Sequence, residues 1–539
     1  MNGPEKAAKR PWGRAESLLI ALCLLLGLCL RLLDLRAPFD RQFDGFQGSF
    51  FAVCAINYER LGFEALAGYP IANIDPRPGE PQTYYAYANH PPLVPWMGWA
   101  SLRLFGPAGW SEAWREQRAP QGIEGTLRAP FLLGQLLGWA GLSLALASLG
   151  ARRAALFTAA LYGLMPLTCL YAGLVNYENP SLGALCLAAA AFARRRSGAG
   201  WPWLALGLGL AALAAGTTFA PVFFLPGLCL WTWLGRGRRG FIEGSALALA
   251  MAVPMALHGH FARRALALVE AEPSGLAERA RLLLAPLLDG SLPFGRWLAL
   301  QGRILLEYLG PGHLALAAAG LLLALRGLSR PGPVRAAHGL ALALLSGGLL
   351  VQLGFYRHTG DPQEPFLLNL APALAALGGL ALASLAERSR GAPSLALLAP
   401  GGLLLAAALG FPNGLALHRV WRGGGAPLPE QIGAELATLL PSGAVGWYPE
   451  GLGFNNAVFF YAWRTLLPVG PATYSLALEQ QQRFGLEHAP LYLLLPKQPL
   501  GAAVASTAAV AADLETKRPG QLASPDAESA NYRAYRISR

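Results

Sequence analysis

Charge is what this sequence has least of. Only 14% of its 539 residues are Asp, Glu, Lys or Arg, while 54% are hydrophobic. That balance excludes an ordinary soluble domain, in which about 25% of residues are charged. Acids are scarcest: 31 Asp and Glu stand against 43 Lys and Arg, a formal net charge of +12. The excess could suit nucleic acid, but the arginines stand in short clusters between apolar runs, where a membrane protein carries its cytoplasmic anchors. No nucleic-acid partner is expected.

Other absences narrow the class. None of the six cysteines forms a CxxC pair, and all but Cys54 lie in apolar runs, so they read as small packing residues. The apolar run Ser17 to Leu30 follows a basic start at Lys6, Lys9, Arg10 and Arg14 but lacks a small-residue cleavage site. Arg31 to Arg36 follows it instead, which predicts an uncleaved first helix. No repeat of fixed period is present, so the duplicated halves of many transporters are missing.

What the chain does have is a series of Leu, Ala and Gly runs, many long enough for the about 20 residues of a membrane-spanning helix. Eleven spans are expected, near 17–33, 127–149, 154–174, 179–193, 202–217, 219–234, 241–259, 313–327, 336–355, 365–386 and 393–411. Every second connection is then short and basic: Arg152 and Arg153, Arg194 to Arg196, Arg236 with Arg238 and Arg239, Arg326 with Arg330 and Arg335, Arg388 with Arg390. The positive-inside rule puts those connections, and the N-terminus, in the cytoplasm. Residues 1–411 read as a multi-pass transmembrane domain and 412–539 as an extracytoplasmic one. The Ala, Leu, Gly and Arg bias with few lysines points to a bacterial cytoplasmic (inner) membrane.

The first outer loop, 34–126, is not uniformly polar. Phe43, Phe46, Phe50 and Val53 recur at helical spacing, which predicts an amphipathic helix in the interface. A second helix is expected from Asn89 as N-cap, with prolines in its first turn and Trp96 and Trp99 as interfacial anchors. A further outer region, 260–312, carries apolar helical stretches at Leu276 to Leu288 and Trp297 to Leu309. Beyond 412 the pattern changes to a helix at Pro429 to Leu440, a strand at Ala444 to Tyr448, an aromatic helix at Phe454 to Trp463 and strands at Leu491 to Leu495 and Tyr532 to Ile537. That alternation predicts a small soluble α/β domain.

An ionisable group near a bilayer is costly unless used or paired, so polar residues at span ends are informative. They gather on one side of the expected topology: Asp40, Asp44 and Gln47; Asn89 and His90; Asn176, Tyr177, Glu178 and Asn179; His258 and His260; Tyr356, Arg357, His358, Asp361, Gln363 and Glu364. Each has an ordinary reading. Asp44 and Gln47 have capping-box spacing, Asp40 beside Arg41 is a solvated loop charge, and an acid such as Glu178 suits any helix N-terminus. An HxH pair alone says little about a metal. It is their common side that suggests one shared cavity.

Taken in order, an Asp-bearing helix just after the first span, the His90-Pro91-Pro92-Leu93 helix start, Glu124-x-x-x-Arg128-x-Pro130 and Asn176-Tyr177-Glu178-Asn179-Pro180 resemble the GT-C glycosyltransferases. The closest pattern is that of the protein O-mannosyltransferases and lipid A aminoarabinose transferases, over roughly residues 15 to 410. The resemblance implies an all-α polytopic membrane fold with interfacial helices in the first outer loop. It implies an enzyme that moves a sugar, with inversion, from a polyprenyl-phosphate donor to a protein, lipid or glycan acceptor on the outer side of the bilayer. Asp44 would be the catalytic base. Gly45 stands where the family commonly has a second acid, which leaves Asp40 as a helper. A divalent metal held between His90 and either His258 or His260 is implied in the same way.

Chemistry independently suits such residues. A phosphate departing from an anomeric carbon needs no general acid; the reaction needs a base for the acceptor hydroxyl and positive charge for the phosphate. Asn89, Arg128, Glu178, Arg357 and His358 are the candidates for holding substrate and phosphate. A transporter or flippase of a lipid-linked substrate is the alternative, but it would place charges near the middle of its spans. A membrane-anchored binding protein is a third reading, and its soluble domain shows no recognisable catalytic set.

Overall fold

The computed structural model describes residues 14–39, 43–74, 76–116, 118–234, 236–269, 276–330, 332–360, 364–388, 398–421, 429–452, 454–470, 473–483, 485–498, 502–517 and 522–537. The chain begins with the apolar helix α1 (Arg14–Leu32), followed in the first long loop by α2 (Phe43–Leu61) and α3 (Leu93–Phe105). Then come α4 (Glu124–Ser148), α5 (Arg152–Leu164), α6 (Pro166–Leu170), α7 (Glu178–Arg196), α8 (Trp201–Ala215), α9 (Leu225–Trp233) and α10 (Gly237–Leu268). The bundle continues with α11 (Leu276–Leu288), α12 (Phe294–Leu309), α13 (Pro311–Gly327), α14 (Pro333–Gly354), α15 (Tyr356–Gly360), α16 (Ala371–Arg388) and α17 (Leu398–Trp421).

Helical segments occupy all eleven stretches read as spans. Among the described residues five are long and apolar enough to cross a membrane on their own: α4, α10, α14, Pro365–Arg388 and α17. Helices α12 and α13 would pass together but bend by 112°. The protein is a helix-dominated multi-pass membrane protein with a small sheet domain.

Three spans differ from expectation: α10 runs to Leu268, past its expected end at 259, and two others depart as follows. The stretch 154–174 is not one helix: it breaks between α5 and α6 at Pro166, whose ring and missing N–H do not fit a helix interior. The last one, α17, runs past its expected end at 411 to Trp421, carrying Pro412 within it. Helices α4 and α7 meet backbone to backbone. A Cβ on Gly134 would lie 2.7 Å from the Pro180 Cα, the close approach that small residues permit between membrane helices. Helix α7 is consequently buried along nearly its whole length.

The remaining elements form the sheet domain: α18 (Pro429–Leu439), β1 (Val445–Pro449), α19 (Asn456–Ala462), β2 (Thr465–Val469), α20 (Tyr474–Arg483), β3 (Leu491–Pro496), α21 (Ala502–Lys517), β4 (Ala527–Glu528) and β5 (Tyr532–Arg536). The strand order is β2-β1-β3-β5-β4, with β1 parallel to β2 and β3, and β5 antiparallel to β3 and β4. The runs VGWYP and LYLLLP read as strands because a parallel strand covered on both faces is apolar throughout. Strand β2 carries Pro468, which an edge strand tolerates, and sequence pattern alone did not single it out.

One short helix joins the two parts. Asn455 caps α19 by accepting from the N–H groups of Ala457 and Val458 at 3.1 and 3.3 Å. Ala457, Phe460 and Trp463 then enter a single core with Phe39, Phe51, Val94, Ile123, Phe131 and Tyr177 of the bundle.

Candidate active site

Helix α2 starts at Phe43, which puts Asp44 inside the first turn and not at the cap position expected for it. An acid there is favoured by the partial positive charge of a helix N-terminus. Asp40, Asp361 and Gln363 lie outside the described residues, as does the Asp44 side chain. The surroundings of α2 differ from those of an interfacial helix. Phe51, Ala52, Val53, Ala55 and Ile56 are all buried and Phe46 is exposed, so the buried face is not the expected Phe43, Phe46, Phe50, Val53 stripe. The reason is tertiary: α3, α4 and α19 pack around α2 and bury it from several sides.

Helix α3 begins at Leu93, with Pro92 in the cap position, later than Asn89. A residue preceding proline is steered away from helical geometry, and His90 and Pro91 each precede one. Asn89 is exposed. The indole N–H groups of Trp96 and Trp99 donate to the Gly68 carbonyl at 2.8 Å and to Glu59 Oε1 at 2.7 Å, and the Trp96 ring is exposed.

The chain entering α2 is held from two directions. From the bundle, the Arg128 guanidinium donates to the carbonyls of Asp34, Leu35 and Pro38 at 3.2, 3.0 and 3.4 Å and to that of Ala37. It also lies over the Phe39 ring, 5.2 Å from its centre. From the sheet domain, the Tyr461 hydroxyl accepts the Phe39 N–H at 2.9 Å and donates to Glu124 Oε1 at 2.7 Å. Burial, with the Glu124 carboxylate beside it, pushes the Tyr461 hydroxyl well up, so it stays protonated. The Phe39 ring folds back on α2, where a Cβ on Gly48 would meet its Cδ1 at 2.6 Å.

A second cluster gathers side chains from the segment ahead of α3, the start of α7, α10 and the turn before α9. The His90 ring stacks on Tyr177 with centres 4.2 Å apart, faces Tyr87 at 6.1 Å, and has its Nδ1 3.3 Å from Thr218 Oγ1. Glu178 is buried at the first turn of α7, and burial pushes the hydroxyls of Tyr87 and Tyr177 well up, with the Glu178 charge adding to both. The turn that carries it is fixed by Asn176, which accepts the Asn179 N–H at 2.7 Å, and by the Asn179 side-chain amide, which donates to the Tyr171 carbonyl at 2.7 Å. The Phe219 ring centre lies 6.0 Å from that of His90 and 5.3 Å from that of His258. His258 Nδ1 is 2.6 Å from the Tyr69 hydroxyl, whereas His260 is exposed against Phe261.

Among the described residues no three His, Cys, Asp or Glu side chains gather where an ion could be held. His90 and His258 each lie near Phe219, and one side of His258 is engaged by Tyr69. The described donor set does not fit the implied metal.

Arg357 and His358 lie on α15, which packs with α11, α12 and α14. Arg357 is exposed and His358 stacks on Phe366 at 6.0 Å. The Trp297 indole donates to Thr359 Oγ1 at 3.0 Å and the ring stacks on Tyr356 at 4.9 Å, fixing this corner. Tyr461, Tyr69, Tyr87, Thr218 and Phe219 were not legible as site residues. Tyr461 is 337 positions from its partner Glu124 and stands in a helix with no chemical motif.

Comparison with protein-family models and with curated protein sequences finds no match. Solved structures do match in fold. ArnT from Cupriavidus metallidurans superposes with a TM-score of 0.54 at 15% identity in the apo state, covering 97% of this chain and 98% of that one. The same protein bound to undecaprenyl phosphate gives 0.54 at 16% identity and the same coverage. The oligosaccharyltransferase AglB from Archaeoglobus fulgidus, in complex with an inhibitory peptide and a dolichol-phosphate, gives 0.55 at 13% identity, covering 89% of this chain and 69% of that one. An AglB structure with zinc and sulfate gives 0.53 at 14% identity. This chain shares their GT-C architecture.

Proposed function

We propose that the protein is a glycosyltransferase that moves a sugar from a polyprenyl-phosphate donor to an acceptor hydroxyl at the outer face of the membrane, with inversion. The observation that supports this reading is the double clamp on residues 34–39, the chain ahead of the helix whose first turn carries Asp44. A base must sit within hydrogen-bond reach of the proton it takes, and an immobilised helix start provides such a position. The fold supports the donor class, since ArnT and AglB, which share it, have been seen with undecaprenyl phosphate and dolichol-phosphate.

In the proposed reaction the acceptor oxygen attacks the anomeric carbon from the face opposite the phosphate. The bond from that carbon to the phosphate oxygen breaks, and its electron pair leaves with the polyprenyl phosphate. The acceptor proton passes to the Asp44 carboxylate, with Asp40 assigned to assist. His90, fixed by Tyr177 and Thr218, is assigned to the phosphate together with Arg357 and His358. Asn89 and Glu178 are assigned to the sugar. Arg128 serves this site by holding the chain in front of α2, given its bonds to the carbonyls of Asp34, Leu35, Ala37 and Pro38.

The test is transfer of labelled sugar from a polyprenyl-phosphate donor in proteoliposomes. Asp44→Asn should fold and insert normally while losing about 10²–10⁴-fold in transfer rate, the usual worth of a general base. Full activity in that variant would remove the assignment of the base. Movement of the donor across the bilayer without any transfer by the native protein would replace the enzyme with a transporter.

A further inference from the structure

The far end of the bundle carries a basic cluster with no part in the candidate active site. Tyr177, on which both His90 and Phe51 of α2 pack, immediately precedes α7. The 19 residues of α7 then put Arg195 and Arg196 roughly 27 Å away from it. On α10, Glu243 likewise lies about 22 Å of helix from His258. The cluster therefore sits at the other membrane face from Asp44, the face that the basic connections assign to the cytoplasm.

Its charges do not balance. Glu243 is 3% exposed and accepts from Arg195 Nε at 3.1 Å, from Arg236 Nη2 at 3.3 Å and from Arg239 Nε at 3.4 Å. Arg196 lies over the Trp231 ring and donates to the carbonyls of Trp231 and Leu234 at 2.7 and 2.6 Å, which the end of α9 leaves open. Arg335, on the first turn of α14, completes the group. Burial, then the charges of Arg236 and Arg335, push the Arg196 guanidinium down from its ordinary value, with Glu243 opposing. The Arg335 Nε is buried and finds no hydrogen-bond partner among the described residues.

The ordinary reading, arginines that anchor a span end in water, does not suit these side chains. Those of Arg195 and Arg236 are only 16% and 14% exposed. Cations gathered out of water repel one another unless anions match them, and one carboxylate serves the whole group. What is missing is an anion, and guanidinium groups pair best with carboxylate or phosphate oxygens.

The surroundings choose between those two. Helix α9 packs against both α10 and α14, so the cluster opens where three helix ends meet. Trp201, Trp233 and Phe241, at the start of α8, the end of α9 and the start of α10, are 73%, 53% and 63% exposed. Arg194 lies over the Trp203 ring, 5.8 Å from its centre. Exposed tryptophans among arginines mark the headgroup level of a bilayer. A soluble anion gains nothing from that apolar border, whereas a phospholipid sets its phosphate on the guanidinium groups and its chains along the aromatic flank.

We infer that Arg335, with Arg196 and Arg236, holds the phosphate of an anionic phospholipid in the leaflet opposite Asp44, its acyl chains lying along the exposed apolar side chains of α9 and α10. This lipid is separate from the sugar donor, whose phosphate has to reach the Asp44 end. It supplies the missing negative charge and braces α7, α9, α10 and α14 where they end.

The full chain is delipidated in mild detergent, placed in nanodiscs of phosphatidylcholine with a minor share of phosphatidylglycerol, and released into a native mass spectrometer that counts retained lipids. The native protein should keep phosphatidylglycerol over phosphatidylcholine. Arg335→Gln should keep about tenfold less, the worth of a charge-assisted hydrogen bond. Arg152→Gln, the same charge change at an exposed site on α5, should stay near native. Arg335→Lys retains the charge without the planar fork and should fall between native and Arg335→Gln, which keeps the test available if the glutamine variant does not fold.

Retention that is equal in native protein and folded Arg335→Gln or Arg335→Lys overturns the site, as does an equal loss in Arg152→Gln. Equal retention of phosphatidylcholine overturns the choice of an anionic lipid. Inorganic phosphate that displaces the lipid and raises the melting temperature as much would make the occupant a free anion. Polyprenyl phosphate that displaces it at equal concentration would make this a donor site and overturn the separate lipid. No arm measures sugar transfer, so the outcome is independent of the glycosyltransferase reading.

Discussion

The Tyr461 hydroxyl and the Glu124 carboxylate, 337 positions apart, meet at 2.7 Å and thereby tie the sheet domain to the first turn of α4. The same hydroxyl accepts the Phe39 amide, so one side chain from the sheet domain serves two groups of the bundle. Tyr461→Phe keeps the ring and its apolar contacts but leaves the Phe39 N–H and a Glu124 oxygen short of a partner. Each such loss costs about 1–3 kcal/mol when the group stays buried. The expected outcome is a lower melting temperature and a fall in kcat per folded molecule, with the donor KM little changed. A sheet domain with a purely structural role would lower the yield of folded protein and leave turnover per molecule intact.

Arg128 separates positioning from phosphate binding. A lysine keeps the charge but cannot spread donors over four carbonyls as a planar guanidinium does. Arg128→Lys should therefore lower kcat by disordering the chain before α2 while leaving donor KM close to native. A raised donor KM with kcat preserved would return Arg128 to the phosphate site.

How much of this was legible in the sequence depends on the range of the interaction involved. Hydropathy and basic clusters located the helical segments because each span carries its own signal along about 20 residues. Strands β1 and β3 announced themselves as short apolar runs bounded by turns. The break at Pro166 was readable in principle, yet the apolar run continues across it. The double clamp was not readable: Arg128 bonds backbone carbonyls about 90 positions away, and any carbonyl looks the same in a sequence. The amphipathic stripe of α2 misled for a related reason. Its buried face was decided by α3, α4 and α19, the last of which arrives from the far end of the chain.

The sheet domain offers a pH test independent of catalysis. Glu435 on α18 accepts from the Asn531 N–H at 2.6 Å, from the Asn531 side chain at 2.8 Å, and from the Ser529 hydroxyl. Partial burial works against its charge, but the hydrogen bonds from Ser529 and Asn531 and the charge of Lys497 hold the carboxyl below its ordinary range. With the folded pKa depressed, the unfolded chain binds the proton first as pH falls, so the stabilisation is present above the ordinary glutamate pKa and disappears as pH drops through the lower, folded one. Glu435→Gln should accordingly lower the melting temperature of the sheet domain at neutral pH. The gap between variant and native should close under acid conditions below the ordinary glutamate range. A gap that stayed constant with pH would mean the carboxylate charge contributes nothing there.

Gly48 tests whether the seat of Phe39 matters to the chemistry. A methyl group at this position would lie 2.6 Å from the ring Cδ1, well inside contact distance, while α2 itself favours alanine over glycine by roughly 0.5–1 kcal/mol. The two effects oppose each other in stability, yet only one of them moves the ring. Phe39 is also packed on Phe460 at 5.7 Å and lies under Arg128, so it must shift against the sheet domain or α2 must tilt away. Gly48→Ala should therefore show a melting temperature near native and a clear loss of kcat. Gly48→Ala combined with Phe39→Leu, which removes the opposing ring edge, should recover part of the lost turnover. If the single variant keeps full activity, the close packing of Phe39 on α2 has no part in placing Asp44, and the clamp would have to act through the Arg128 and Tyr461 hydrogen bonds alone.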